Sequence, residues 1–180
     1  VNEVYLGKVS FLRHYKFQDE AYKATHFAFN AVEVAEIGHY FGVCMQKGAN
    51  LARNETKVNL NGKDAFADVS AAYIMNGWAT IDTTINVRHL SPYTHSTQLV
   101  KGVVGGTARG VFQGKIHIAK GSDKANGNML HKSLLLSNEA EIDCKPELEI
   151  FADDVKCSHG AASGVLDEMQ LFYMQSRGIN

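Results

Sequence analysis

Residues 81–89 read IDTTINVRH, and this stretch decides the structural class of the chain. Its odd positions from 81 to 87 hold Ile, Thr, Ile and Val, whereas the even positions between them hold Asp, Thr and Asn. Successive side chains of a β-strand point to opposite faces, so this alternation gives one apolar face and one polar face. The stretch is therefore predicted to be a strand that packs its odd positions against a core.

Similar short alternating segments recur at residues 57–61, 115–119 and 147–151, after a mixed opening that runs to about Tyr22. Residues that favour turns lie between or near these segments: Asn61-Gly62, Asn76-Gly77, Gly105-Gly106, Gly114, Asn126-Gly127 and Gly160. Many short strands with turn signals are typical of a sandwich, a barrel or a β-solenoid, and their spacing alone does not separate the three. A solenoid would require repeated rungs.

The end of the chain has a different pattern, with apolar residues at helical spacing: Leu166, Met169, and Phe172 or Tyr173. Asp167 is suited to the start of a helix, and Gly178 is suited to a C-terminal stop. A short closing helix is predicted here.

Composition limits the class of protein and its partners. The 180 residues are 45% hydrophobic and 21% charged, as expected for one globular domain over residues 1–180. Lys and Arg total 18 against 19 Asp and Glu, so no strong positive field is available to attract nucleic acid or anionic lipid. No apolar run is long enough to span a bilayer. We therefore expect neither nucleic-acid nor membrane binding, and the Val1 start leads us to expect a fragment of a longer protein.

The three cysteines, Cys44, Cys144 and Cys157, are too few and too scattered for a disulfide framework. Their odd number leaves at least one free thiol, which favours a reducing compartment. No Cys-x-x-Cys pair occurs, so a self-contained zinc site is not expected.

One pair has the spacing of metal ligands. On a strand, Cys157 and His159 would share a face, which places a thiolate and an imidazole within reach of one metal ion. In the alternative interpretation, Val155, Cys157 and His159 continue an inward face, and the cysteine is a small core residue. Spacing alone leaves both open, and two ligands would be an incomplete site.

Other motifs lack what their chemistry needs. Gly110, Gly114 and Lys115 have one residue too few for a phosphate-binding loop, and Ile116 replaces its Ser or Thr. Ser158 and His159 are adjacent, so on a strand they would point to opposite faces and could not act as nucleophile and base. Several carboxylates occur in close pairs, and solvated strand faces account for them: Asp153-Asp154, Glu139 with Glu141, and Glu147 with Glu149.

Four motifs carry a resemblance to a known family. They are LLLS at 134–137, KPELEI at 145–150, ADDVKCSHGA at 152–161 and LFYMQSRGI at 171–179. Together they resemble the SufB/SufD family of iron-sulfur cluster assembly scaffolds, and looser similarity extends the match to residues 48–179. The resemblance implies an all-β fold, a right-handed parallel β-helix with a short C-terminal helix.

The resemblance points to the SufD branch. The SufB branch has a Glu-rich ending in the last rung, where this chain has the run from Cys157 to Gly160. Cys144 is out of register with the scaffold cysteine of SufB, so it is expected to be a rung or loop residue.

The function implied by the resemblance is that of a non-catalytic scaffold subunit. It would pair with a SufB-type partner and couple to a SufC-type ATPase through a C-terminal region largely absent from this chain; a homodimer is also possible. His159, with Cys157 beside it, would lie at the partner-facing end and help to bind iron or a nascent iron-sulfur cluster transiently, with the missing ligands supplied by SufB. No cofactor is expected on the isolated chain, and the expected location is the cytoplasm or an organellar stroma.

Two alternatives from other classes stay open on strand pattern alone. One is a β-helical enzyme acting on polysaccharides, and the other is a β-solenoid with a purely structural role.

Overall fold

The chain winds through twelve strands and ends in one helix. The computed structural model describes residues 1–165 and 167–179. The elements are β1 Asn2–Leu6, β2 Phe11–Glu20, β3 Thr25–Val34, β4 His39–Gly48, β5 Leu51–Leu60, β6 Phe66–Met75, β7 Thr80–His89, β8 His95–Val104, β9 Arg109–Ile118, β10 Asn126–Leu135, β11 Glu141–Ile150, β12 Lys156–Val165 and α1 Glu168–Ser176.

Consecutive strands alternate between two six-stranded sheets. One sheet has the order β1-β3-β5-β7-β9-β11, and the other has the order β12-β10-β8-β6-β4-β2. All pairings are parallel and in continuous register, as where Thr80 pairs with Arg109. Two strands thus form one turn, and the turns stack into a solenoid with the core between the two sheets. The predicted parallel β-helix is confirmed.

The strand predicted at residues 81–89 is confirmed, because it corresponds to β7. Ile81, Ile85 and Val87 are fully or almost fully buried, and Thr83 lies on the same inner face. The segments predicted at 57–61, 115–119 and 147–151 fall largely within β5, β9 and β11. The strands themselves are longer than these segments, because each extends across the full width of its sheet.

The interpretation of the first 22 residues as a mixed opening without strands was wrong, because this segment contains β1 and β2. In β2 the usual pattern is inverted. Phe11, Tyr15 and Phe17 are exposed on the outer face, whereas Lys16 and Gln18 point inward. A strand with aromatic residues outside and polar residues inside does not show the signature of a half-buried strand.

The glycines divide into two groups. Gly62, Gly77 and Gly106 lie in turns as predicted, and Gly77 has a φ of +76°, a conformation that favours glycine. Gly114, Gly127 and Gly160 were also predicted to mark turns, which is wrong, because they lie inside β9, β10 and β12.

Packing explains the strand glycines, as Gly114 shows. A Cβ atom at this position would overlap with the sulfur of Met129 and approach the ring of Phe112 to 2.6 Å. The missing side chain thus makes room for two large residues that fill the interior.

The interior contains both apolar and polar side chains. Large apolar residues such as Phe112 and Ile116 lie beside the buried Gln98 and His131 in the later turns. Towards the N-terminal end the interior contains buried amides: Asn54 donates from Nδ2 to Oε1 of Gln18 at 2.8 Å and to Oε1 of Gln46 at 2.7 Å. These bonds satisfy both Nδ2 protons of Asn54, whereas Nε2 of the buried Gln18 has no hydrogen-bond partner among the described residues.

The closing helix α1 has the predicted caps. Oδ1 of Asp167 accepts a hydrogen bond from the backbone N–H of Gln170 at 3.0 Å. At the other end Gly178 has a φ of +80°, and the N–H of Ile179 donates to the carbonyl of Met174 at 3.1 Å. The predicted apolar position Leu166 lies outside the described residues.

The predicted apolar stripe of α1 does not face a core, since Met169, Phe172 and Tyr173 are all exposed. Within residues 1–165 and 167–179, no helix has the length and apolar character needed to cross a membrane.

Candidate metal-binding site on the last turn

The last turn of the solenoid consists of β11 and β12, and each is the end strand of its sheet. β12 pairs with β10 on one side only, and no strand among the described residues pairs with its other edge. Cys157 and His159 belong to β12, and their i, i+2 spacing places both on the face that continues the interior.

Cys157 lies at the margin of the core. It pairs in register with Gly127, is partly buried, and packs against the hydrophobic core together with Val155. Burial raises the pKa of the Cys157 thiol and outweighs the opposite effect of the Gly127 backbone, which lowers it. The free thiol is therefore protonated at neutral pH, and a metal ion would have to displace that proton.

His159 is the exposed member of the pair. It lies opposite Met129 in the register of β12 with β10. Neither ring nitrogen has a hydrogen-bond partner in the described part of the chain, and the ring borders an open depression of about 440 Å³ that Asn128 and Ser158 also line. An accessible imidazole of this kind is available to an external ligand.

The pair does not form a complete metal site by itself. In the two described ranges, no group of three or more His, Cys, Asp or Glu side chains could hold a metal ion. Cys157 and His159 thus offer at most two ligands, and iron in proteins is usually held by more. A complete site requires groups from elsewhere.

A comparison with known protein families shows which family the chain belongs to. The family model described as "SUF system FeS cluster assembly, SufBD core domain" matches residues 1–180, the whole chain. The chain belongs to the SufBD core family. The family predicted from the four motifs is thereby confirmed.

Three relatives illustrate the similarity of this SufBD core to known proteins. It is 38% identical to the iron-sulfur cluster assembly protein SufD of Escherichia coli over 94% of the chain, which agrees with the predicted SufD branch. It is 32% identical over its whole length to an iron-sulfur cluster assembly SufBD family protein of Synechocystis. It is 34% identical, also over its whole length, to protein ABCI7, chloroplastic, of Arabidopsis thaliana.

The chain spans only part of these relatives. It corresponds to 40% of the length of the E. coli and Synechocystis proteins and to 38% of the Arabidopsis protein.

Ser158 of the SufBD core does not form a hydrolytic pair with His159. Its Oγ donates to Oδ1 of Asn128 at 2.7 Å, on the outer side of the sheet, and it has no hydrogen bond to His159. The sequence-based expectation that these neighbours point to opposite faces agrees with this contact.

Two of the carboxylates considered for sugar chemistry are held in ion pairs on the outer face. Glu147 lies 2.7 Å from Nζ of Lys145, and Glu149 lies 2.7 Å from Nζ of Lys115 and 3.1 Å from Nδ1 of His117. Hydrogen bonds and charges from these partners hold the pKa values of both carboxyls below their ordinary range. A glycosidase acid needs a raised pKa, so this pair is unsuited to that role.

Cys144 was predicted to be a rung or loop residue, and the structure places it in a rung. It lies in β11 opposite the buried Phe112, so it is a rung residue, and it belongs to the same last turn as Cys157 and His159. Burial raises the pKa of its thiol. The position of Cys144 next to the site follows from the register of β11 with β9. The spacing of residues within one strand does not give this register.

Proposed function

We propose that the protein containing this SufBD core is a non-catalytic scaffold subunit for the assembly of iron-sulfur clusters. The observation that carries the proposal is the match of all 180 residues to the core domain of the SUF assembly system. The E. coli and Synechocystis relatives are named for iron-sulfur cluster assembly, which supports the same role here. The cluster is cargo in this proposal and is built on the scaffold.

The open end of the solenoid is the proposed partner surface. The outer edges of β11 and β12 carry backbone donors and acceptors that no described strand satisfies. Exposed strand edges of this kind pair readily with a strand of another chain. A SufB-type paralogue with its own β-helix is the proposed partner, and a second copy of this chain could use the same edges when that partner is missing.

The proposed cluster site lies at this seam. Cys157 would supply a thiolate and His159 an imidazole, both suitable ligands for iron. The partner would supply the remaining ligands, in keeping with the incomplete set among the residues that the structure describes. Because the site is shared, binding is transient, and the isolated chain is proposed to hold no iron or cluster.

The energy for assembly is proposed to come from a SufC-type ATPase that binds the longer protein outside this core. The exposed Phe172 and Tyr173 of α1 give an apolar surface next to the open end that a partner could cover. The proposed location is the cytoplasm, or the stroma of an organelle, and the chloroplastic relative supports the second option.

A co-purification experiment tests the pairing. The full-length protein is expressed with its SufB-type and SufC-type partners, and complex formation is measured for Val165→Lys and for the control Ile74→Lys. Val165 ends β12 and is 64% exposed, while Ile74 is 60% exposed on β6, far from the open end. We expect Val165→Lys to reduce recovery of the SufB-type partner at least tenfold, because a charge would be buried in the seam. Equal recovery by both variants, or no complex with the unmodified protein, would contradict the proposal.

A further inference from the structure

The sequence contains three Asn-Gly pairs, at residues 61–62, 76–77 and 126–127. In such a pair the backbone nitrogen of the glycine can attack the side-chain amide carbon of the asparagine, because glycine has no side chain to block the approach. The attack also requires that the two atoms be held close together. The structure gives the three pairs different surroundings, and these surroundings determine which pair can react.

The pair Asn76-Gly77 lies in the turn between β6 and β7, with the Asn76 side chain exposed. The backbone N–H of Gly77 donates to Oδ1 of Asn76 at 2.9 Å. The side-chain amide is therefore folded back over the nitrogen that would attack it, since the amide carbon is one bond from Oδ1. Among the described residues, no backbone carbonyl accepts a hydrogen bond from this N–H, so no such bond has to break before the reaction.

Glycines of the next turn leave space around the Asn76 amide. A Cβ atom at residue 106 would lie 3.0 Å from Oδ1 of Asn76, and one at residue 105 would lie 3.1 Å from it. Contacts this short would crowd the amide in a closely packed structure. Because Gly105 and Gly106 have no side chains, the amide carbon has room to become tetrahedral, as the attack requires.

The other two asparagines are held in different positions. Nδ2 of Asn61 donates to Oε2 of Glu33, which ties its side chain to a neighbouring turn. Asn126 and Gly127 belong to β10, which is paired on both sides, with β8 and with β12. Oδ1 of Asn126 accepts from Nδ2 of Asn128 at 3.2 Å. Within the described ranges, neither asparagine accepts a hydrogen bond from the N–H of its own glycine.

We infer that Asn76 is a site of spontaneous deamidation in the folded protein, and that the fold protects the other two pairs. Hydroxide removes the proton from the Gly77 nitrogen, which then forms a bond to the amide carbon of Asn76. The bond from this carbon to Nδ2 breaks, and Nδ2 takes a proton from water and leaves as ammonia. Water opens the resulting succinimide ring at either carbonyl carbon, which gives aspartate or isoaspartate. The inference does not depend on the proposed role in cluster assembly.

The products change the corner where Tyr22 and Trp78 meet. The two ring centres lie 4.8 Å apart, and the Tyr22 hydroxyl accepts from the backbone N–H of Trp78 at 3.0 Å. Isoaspartate carries the main chain through its side-chain carbon, so it lengthens the turn just before Trp78 by one methylene. Both products also replace a neutral amide by a carboxylate. We expect this change to displace Trp78 from Tyr22.

Labelling with heavy oxygen tests the site in the full-length protein. The protein is incubated at pH 8 in water enriched in heavy oxygen, which marks each carboxylate that ring opening forms. The three pairs fall in different tryptic peptides, residues 58–63, 64–88 and 125–132, and mass spectrometry of their fragments assigns the label. We expect label at Asn76 to accumulate about tenfold faster than at Asn61 or Asn126, because only Asn76 is positioned for attack. Equal rates at the three sites, or a slower rate at Asn76, would overturn the inference.

The same incubation in urea is the control for the role of the fold. Once the protein is unfolded, the three pairs should react at similar rates, because they share the same dipeptide. A preference for Asn76 of the same size in urea would show that the local sequence sets the rate, and would contradict the inference.

The fluorescence of Trp78, the single tryptophan of these 180 residues, provides a second test. We expect the emission of the protein without substitutions to change with the same time course as the label at Asn76. In Asn76→Gln, whose longer side chain does not form the same ring, the emission should stay constant. A drift of the same size in Asn76→Gln, or constant emission while Asn76 is converted, would contradict the expected displacement of Trp78.

Discussion

His159 lies directly opposite Met129 in the pairing of β12 with β10, one rung beyond the buried core. Met129 is only 2% exposed, whereas His159 is exposed, although both belong to the same inward-facing column of side chains. The difference arises because no strand among the described residues pairs with the outer edge of β12. A residue that would be core in any other turn is thus available for binding at this end.

The first prediction separates a binding role for His159 from a packing role. His159→Ala should change the free energy of unfolding by less than about 0.5 kcal/mol, as is usual for an exposed site. Met129→Ala, one rung below, should cost about 2–5 kcal/mol, because it leaves a cavity in the core. Urea denaturation of both variants measures the two values. A loss for His159→Ala close to that for Met129→Ala would show that His159 is a structural residue.

A second prediction concerns acid stability and the buried His89. Nδ1 of His89 lies 2.8 Å from Oγ1 of Thr94, and Nε2 lies 2.8 Å from Oγ of Ser96, so the neutral ring is satisfied on both sides. Burial, with smaller effects of His95 and His117, lowers the pKa of His89 from 6.5 to about 4. The unfolded chain therefore binds more protons between these values, so stability is complete above pH 6.5 and falls as the pH drops towards 4.

The size of this effect is on the order of 3 kcal/mol. It can be measured by urea unfolding at pH 7 and pH 4. His89→Gln removes the titrating group and should be less stable than the unmodified protein at pH 7, yet lose less stability on acidification. An identical loss on acidification in both proteins would mean that other groups cause the acid sensitivity.

A third prediction uses the close approach of Tyr73 to Gly102. A Cβ atom at residue 102 would overlap with Cε2 of the Tyr73 ring, which is almost completely buried. Gly102→Ala should therefore destabilise the fold by about 1–3 kcal/mol, the usual range for overpacking. Gly164→Ala is the matched control, since a Cβ atom there would have no neighbour within 4 Å. Thermal unfolding compares the two; equal Tm values would show that the ring moves aside freely.

A fourth prediction concerns backbone strain at Ile37. This β-branched residue has a φ of +56° in the turn between β3 and β4, which is unfavourable for its side chain. Ile37→Asn should stabilise the protein by about 0.5–1 kcal/mol, because Asn tolerates the left-handed region better. Ile74→Asn, on an exposed strand position, should give no such gain. Chemical denaturation decides, and a destabilised Ile37→Asn would mean that the side chain contributes more by packing than it costs in strain.

The sequence predicts the strand character of this fold well where one face is apolar, as in β7. It does not predict β2, because Lys16 and Gln18 point inward and find their partners on other strands, a relationship that depends on the stacking of turns. The strand glycines are misjudged for a similar reason. Nothing near Gly114 in sequence indicates that Met129, from the following strand of the other sheet, needs the space.

In the candidate site, too, the features set within one strand are predictable from sequence, and those set by the stacking of turns are not. The spacing of Cys157 and His159 indicates a shared face, which follows from the strand geometry. That His159 is exposed while Cys157 is partly buried depends on β12 being the end strand, which a single strand's sequence cannot show. The parallel β-helix was predicted only from the resemblance of the four longer motifs to the SufB/SufD family. The strand pattern alone does not show how the turns stack.

The central claim is that the last turn forms one half of a shared cluster site. Its most direct test is the reconstitution of an iron-sulfur cluster on the full-length protein in complex with its SufB-type and SufC-type partners. Cluster yield is measured by absorption spectroscopy and by iron and sulfide content, for the unmodified protein, His159→Ala and the control Ser158→Ala. The account predicts at least a fivefold lower yield for His159→Ala in an intact complex, with Ser158→Ala unchanged. An unchanged yield with His159→Ala, at equal recovery of the complex, would contradict it.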